Sequence, residues 1–101
     1  DIFIYRKSTL MGFIGIIDGG YIAGLFVDEK FQSQGIGKKL LEHCKQIYPC
    51  LSLDVFVKNT GAVRFYQNNG FEIVDTKTNP EFKHTEHHMV WNAPASDLTK
   101  R

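Results

Sequence analysis

The residue types that most readily suggest chemistry in this chain are gathered in Gln32-Ser33-Gln34-Gly35-Ile36-Gly37-Lys38-Lys39. An apolar run from Tyr21 to Val27 leads into them, and an amphipathic helix beginning near Gly35 follows. Two glycines spaced Gly-x-Gly let the backbone turn tightly and approach a ligand closely. A helix that starts at such a turn has first-turn N–H groups with no intrahelical partner. A helix end of that kind receives anions, most often phosphates. Lys38 and Lys39 fall in the first turn, where cations oppose the helix dipole at roughly 0.3–1 kcal/mol each. A bound polyanion reverses that cost. The pattern is neither of the two common nucleotide loops. No G-x-x-x-x-G-K-[ST] occurs, and Leu40 stands where a third glycine would complete G-x-G-x-x-G. Taken alone, the segment reads equally as a plain turn and helix start.

A second segment adds to it: Leu51-Ser52-Leu53-Asp54-Val55-Phe56-Val57-Lys58-Asn59, then Phe65-Tyr66 and Gly70-Phe71. With both segments in view, the chain resembles the GNAT superfamily of acyl-CoA-dependent N-acetyltransferases, and within it the small bacterial YiaC-type members. Gln32, Gly35 and Gly37 match the family's pyrophosphate motif, Q/R-x-x-G-x-G/A. Asn59, Phe65, Tyr66, Gly70 and Phe71 fall in register with its next motif, and the resemblance covers roughly Gly12 to Trp91. It implies an α+β GNAT fold: a mixed, mostly antiparallel sheet with a central parallel strand pair and flanking helices. Family members carry a strand and two helices before this point. The chain opens on Asp1 in a strand-like run, so it is expected to be N-terminally incomplete, residues 1–92 forming one partial domain.

The resemblance implies acetyl-CoA as co-substrate, no metal, and transfer of the acetyl group to a primary amine. The acceptor would be a lysine or N-terminus of a peptide or protein, or a small amine. Pyrophosphate docking falls to Gln32, Ser33, Gln34, Gly35, Ile36, Gly37 and Lys38, with Lys39 as a further charge partner. The pantetheine arm is expected along the edge of Leu25, Phe26 and Val27, paired as an added strand would be. The backbone N–H of Phe26 or Val27 is then the oxyanion donor. Asn59 is expected to bind the pantetheine amide region, to cap a helix, or both.

Tyr66 is the expected general acid. A leaving thiolate has an ordinary pKa near ~8.5 and a phenol near ~10, so a phenol can protonate it. From spacing alone, Tyr66 is a helix-face aromatic packed on the sheet. No base carries over, because Tyr21 stands where histone-type members have a Glu; Asp28 and Glu29 read as turn residues. Alternation puts His84, Glu86 and His88 on one face of the last strand and His87 on the other. A metal site there is one reading, a half-exposed strand another, and relay of the amine's proton through water by one histidine a third. Two rival functions remain: a non-catalytic acyl-CoA-binding module or sensor, and a protein-interaction domain using an exposed final strand. Beside the amine acceptor, a second copy of the chain is a candidate partner of the enzyme.

These residues need elements to hold them. Ile2 to Tyr5 and Gly12 to Ile17 read as strands, and Asp18-Gly19-Gly20 as a hairpin turn into Tyr21–Val27. Gly24 inside that third strand marks a bulge or a close backbone approach. Ile36, Leu40, Cys44 and Ile47, with Leu41 alongside, give a helix to about Tyr48, and Pro49 ends it. Leu51, Leu53, Val55 and Val57 alternate as a fourth strand. Strand, helix, strand in that order implies a right-handed crossover and a parallel pair. Asn59 or Thr60 opens a second helix and Asn69-Gly70 closes it. Phe71–Thr76 and His84–Asn92 complete the strands, joined by a polar Lys77–Lys83 loop. Residues 93–101 read as a flexible tail.

Composition narrows the class. The 101 residues suffice for one domain burying about 60–68% of its unfolded surface. At 43% hydrophobic, 23% charged and a net charge of +1, nothing points to nucleic acid. No apolar run reaches the ~20 residues of a membrane span, and no leader peptide is visible. The expected compartment is the cytoplasm. Cys44 and Cys50 lack zinc spacing and are read as structural or incidental.

Overall fold

The hairpin signal at Asp18-Gly19-Gly20 shows how directly local chemistry sets this architecture. In the computed structural model, which describes residues 1–81 and 83–94, Asp18 and Gly19 take left-handed φ of 50° and 73°. Gly20 N–H closes the turn on the Ile17 carbonyl at 3.1 Å. Consecutive positive φ values match the twist of the flanking strands.

The chain divides into two compact units, Asp1–Pro49 and a second beginning at Cys50. In the first, β1 (Ile2–Arg6), β2 (Leu10–Ile17) and β3 (Tyr21–Val27) pair antiparallel in that order. A 3-10 turn at Glu29–Phe31 leads to α1 (Ile36–Ile47), which lies against all three strands. Ile36, Leu40, Leu41 and Cys44 form the buried face of α1. Ile47, read from the sequence as part of that face, is 46% exposed: it occupies the last helical position, beyond the covered part of the helix. Ile14, Ile16 and Leu41 are fully buried, worth about 1.5–3 kcal/mol each.

The register shifts at Gly15/Ile16. Gly24 faces Gly15 and Ile22 faces Ile16, so Ala23 is the extra residue of a bulge next to the glycine expected to mark one. A Cβ built on Gly24 meets nothing within 4 Å.

In the second unit, β4 (Cys50–Phe56), β6 (His84–Asn92) and β5 (Glu72–Asn79) pair antiparallel in that order, with α2 (Thr60–Asn68) after β4. β6 is therefore paired on both edges, while most of its residues stay half-exposed. The expected Lys77–Lys83 loop is shorter. Lys77, Thr78 and Asn79 continue β5 opposite Glu86, Thr85 and His84. Lys77 pairs across from Glu86 and the two threonine hydroxyls meet at 3.0 Å, cross-strand contacts that favour sheet over loop.

Leu51, Leu53, Val55 and Met89 form the buried face here. Of the expected tail, Ala93 is buried and Pro94 exposed, while residues 95–101 lie outside the described residues.

Candidate active site

The glycine turn is built on backbone strain that only a few residues tolerate. Asp28 accepts from Lys30 N–H at 2.9 Å and so caps the 3-10 turn, as its turn reading expected. Gln32 then extends, Ser33 goes left-handed at φ 69°, and Gly35 does so again at φ 76°. Gly35 is the N-cap of α1 and contributes no side-chain cap. Its carbonyl takes the first helical bond, from Lys39 N–H at 3.0 Å. The N–H groups of Ile36, Gly37 and Lys38 therefore fall in the turn that has no intrahelical acceptor, the arrangement that holds anions by main chain. A Cβ on Gly35 would meet nothing within 4 Å, so glycine is required there by φ and not by crowding.

Side chains around the turn tie it to the sheet. Gln32 Nε2 donates to the Val27 carbonyl at 3.3 Å, joining the turn to the end of β3. Lys39 Nζ lies 3.2 Å from Tyr5 Oη and 5.4 Å from that ring's centre, so it is drawn to β1. Lys38 is exposed.

Gly12 was not singled out from sequence, yet β3 and the first residue of α1 both crowd it. A Cβ there would stand 2.7 Å from the Phe26 carbonyl and 3.3 Å from Ile36 Cγ2. Its bare backbone is what lets Ile36 settle on the β2–β3 ladder.

Ladder parity sorts the expected oxyanion donors. Asp28 N–H donates to the Met11 carbonyl at 2.8 Å, and the same register carries Phe13↔Phe26 and Gly12↔Val27. Antiparallel pairs alternate between bonded and unbonded. Phe26 N–H is thus turned toward β2, while those of Leu25 and Val27 point away from it. The Phe26 ring is 48% exposed and packs 5.6 Å from Phe13.

In the second unit, Asn59 Oδ1 accepts from Ala62 N–H at 3.1 Å and caps α2. The other end of α2 fixes Tyr66. Gly70, at φ 89°, donates to the Gln67 carbonyl at 3.1 Å, and Phe71 N–H donates to the Tyr66 carbonyl at 3.0 Å. This is a Schellman closure, whose usual apolar contact is here Tyr66 on Phe71, 5.4 Å between ring centres. Tyr66 is buried, and desolvation pushes its phenol up to about 12. The phenol stays protonated through neutral pH. Passing its proton to a thiolate of ordinary pKa is uphill by about 5 kcal/mol.

The histidine face matches the alternation. His84 Nε2 contacts Glu86 Oε1 at 3.1 Å, His88 Nδ1 contacts Asp54 Oδ1 at 2.9 Å, and His87 meets Thr76 Oγ1 at 2.8 Å on the other face. An open depression of about 730 Å³ is lined in part by Asp54, Asp75, Lys77, Glu86 and His88. Asp54 and Asp75 were not anticipated. Among the described residues, no three His, Cys, Asp or Glu side chains are arranged to hold a metal, and Cys44 and Cys50 are free thiols. No helix of the described residues is long and apolar enough to cross a membrane.

With this geometry in hand, comparison with known proteins decides the family. The description "Acetyltransferase (GNAT) domain" matches residues 2–91. The chain belongs to the GNAT acetyltransferase domain family. Among GNAT relatives, it is 40% identical over 86 residues to the peptidyl-lysine N-acetyltransferase YiaC of Escherichia coli, an alignment covering 85% of this chain and 59% of YiaC. It is also 40% identical over 53 residues to a spermine/spermidine N(1)-acetyltransferase of Bacillus subtilis, covering 46% of this chain and 35% of that protein. The GNAT fold is seen again in an acetyltransferase structure from Bacillus anthracis in complex with acetyl coenzyme A. There the TM-score is 0.81 at 23% identity, over 92% of this chain and 62% of the other. The chain thus spans about three-fifths of the length of YiaC and of that structure.

Proposed function

We propose that this chain carries the catalytic core of an acetyl-CoA-dependent N-acetyltransferase whose acceptor is a primary amine. The observation that carries the reading is the left-handed, uncapped Gly35 at the start of α1, which presents main-chain N–H groups to an anion. The 40% identity to a peptidyl-lysine N-acetyltransferase supports a lysine of a peptide or protein as the acceptor to test first. N-terminal amines and small amines come next.

In this reading, the N–H groups of Ile36, Gly37 and Lys38 hold the pyrophosphate, with Gln32, Ser33, Gln34 and Gly35 shaping the turn. Leu25 and Val27 present main-chain groups to the pantetheine arm, and Asn59 holds its amide region. The amine nitrogen attacks the thioester carbonyl carbon, and Val27 N–H stabilises the oxyanion. Collapse of the tetrahedral intermediate breaks the C–S bond. Tyr66 gives its phenolic proton to the departing thiolate, and the phenolate regains one from the new amide nitrogen through solvent.

The burial of Tyr66 favours one alternative, a non-catalytic acyl-CoA-binding module, because it makes that proton costly to release. The two readings separate in a thiol-release assay with acetyl-CoA and a panel of lysine peptides, N-terminal peptides and polyamines. Turnover with at least one amine class is expected. Acetyl-CoA binding without thiol release across the panel would leave the binding module as the answer.

A further inference from the structure

The proposed reaction lacks a base, and the second unit holds a group built like one. Asp54 and His88 stand opposite each other on β4 and β6. Val57 N–H donates to the Thr85 carbonyl at 2.9 Å, which fixes the parity of this ladder. Asp54↔His88 is thereby a non-hydrogen-bonded pair, the position where cross-strand side chains come closest. Their contact, Nδ1 to Oδ1, is 2.9 Å. An ionised carboxylate only accepts, so Nδ1 carries the proton and Nε2 is left as the basic atom of the neutral ring. Both side chains line the depression.

The other histidines differ. His84 turns Nε2 itself onto Glu86 and packs 4.8 Å from Phe56. His87 lies on the opposite face against Thr76.

A bulge strengthens the arrangement. The register of β5 shifts so that Ile73 faces Met89 and Asp75 faces His88, leaving Val74 as the extra residue. His88 thus sits between a carboxylate on each neighbouring strand. Lys77 Nζ approaches Asp75 at 3.6 Å. Among the described residues, Asp54 from β4, Asp75 and Lys77 from β5, Glu81 from the turn and Glu86 from β6 are the charged groups that line the depression with His88, while His84 contacts Glu86 and Glu72, opposite Val90, lies on the same face of the sheet. Carboxylates outnumber lysines among them, which suits a cationic ammonium and the imidazolium formed by taking its proton.

Resting on the acetyltransferase reading, we propose that His88 takes the proton from the acceptor ammonium, with Asp54 as the residue that positions its ring. In this step, an N–H bond of the ammonium breaks and an Nε2–H bond forms. The free amine then attacks the thioester, and the imidazolium returns its proton to solvent before the next turnover.

The test uses the full-length protein with acetyl-CoA and the best amine of the panel. His88→Gln should lower kcat about 100-fold and remove the limb of the kcat/KM profile that falls toward acid. Its acetyl-CoA Kd should stay within about twofold of the parent. Asp54→Asn should give a smaller loss and displace the same limb. Imidazole added to His88→Gly should restore turnover. The proposal is overturned if His88→Gln keeps kcat and the acidic limb, if imidazole fails to rescue His88→Gly, or if His88→Gln loses acetyl-CoA binding along with activity. A parent protein that neither binds nor cleaves acetyl-CoA would remove the acetyltransferase reading as well. One that does both, with His88→Gln unchanged, would remove this assignment alone.

Discussion

The two units place their chemistry in different parts of the polypeptide. In the first, the candidate groups are main-chain N–H donors, exposed by two left-handed residues, Ser33 and Gly35, and a helix that begins without a side-chain cap. In the second they are side chains: Asn59 and Tyr66 at the two ends of α2, and Asp54 with His88 across a strand pair. A backbone site is damaged by adding atoms. A side-chain site is damaged by removing one.

The largest expected effect lies on the side-chain half. Tyr66→Phe removes one oxygen and keeps the ring on Phe71. It should lower kcat about 100-fold with acetyl-CoA affinity held, and steady-state kinetics beside calorimetric titration would read both. Unchanged kcat would return Tyr66 to a packing role and move the acid elsewhere.

The backbone half should respond oppositely. Gly35→Val puts a β-branched residue at φ 76°, a strain of roughly 1–3 kcal/mol. Acetyl-CoA affinity should fall about tenfold while kcat at saturation falls little. A fall in kcat with affinity intact would blur the division between the units.

Gly12→Ala tests how the turn is positioned. The added methyl meets the Phe26 carbonyl and Ile36, and overpacking of this sort costs about 1–3 kcal/mol. A lower unfolding midpoint in urea is expected. An unchanged midpoint would show that α1 is not seated through this contact.

The smallest effect is alkaline. Burial pushes Cys44 from an ordinary 9.0 to about 11, and Tyr66 from 10.0 to about 12. Both are acids held neutral by the fold. Below about 9 both states keep the protons and nothing is lost. As pH rises from 9 toward 12 the unfolded chain sheds them first, so stability falls. For the same reason, no alkaline fall in kcat from Tyr66 is expected below pH 10. Denaturant midpoints that rise over pH 9–11 would contradict the burial of these groups.

The halves also differ in how much of each could be read from sequence. Glycine spacing announced the turn, because left-handed backbone narrows the residue choice at Gly35, and the helix after it followed from its apolar period. Asn69-Gly70 likewise foretold the end of α2, though not that its closure would pin Tyr66 against Phe71. Cross-strand placement was far less legible. Asp54 and His88 are 34 residues apart in sequence and meet only through register. The bulge at Val74 that brings Asp75 opposite His88 has no glycine to mark it. Polar residues 77–79 looked like loop because their pairing energy comes from partners on β6. Gly12 escaped notice because its need is spatial: its φ is not left-handed, and only the Phe26 carbonyl and Ile36 crowding it show why a side chain is excluded.

In the proposed enzyme, main-chain N–H groups at the start of α1 grip the pyrophosphate of coenzyme A. The most direct measurement is an NMR titration of the ¹⁵N-labelled protein with acetyl-CoA. Saturable shifts of the Gly35, Ile36, Gly37 and Lys38 amides are predicted, reproduced by coenzyme A and much weaker with pantetheine, which lacks the diphosphate. Saturable binding that leaves those four amides unmoved, or equal shifts with pantetheine, would contradict it.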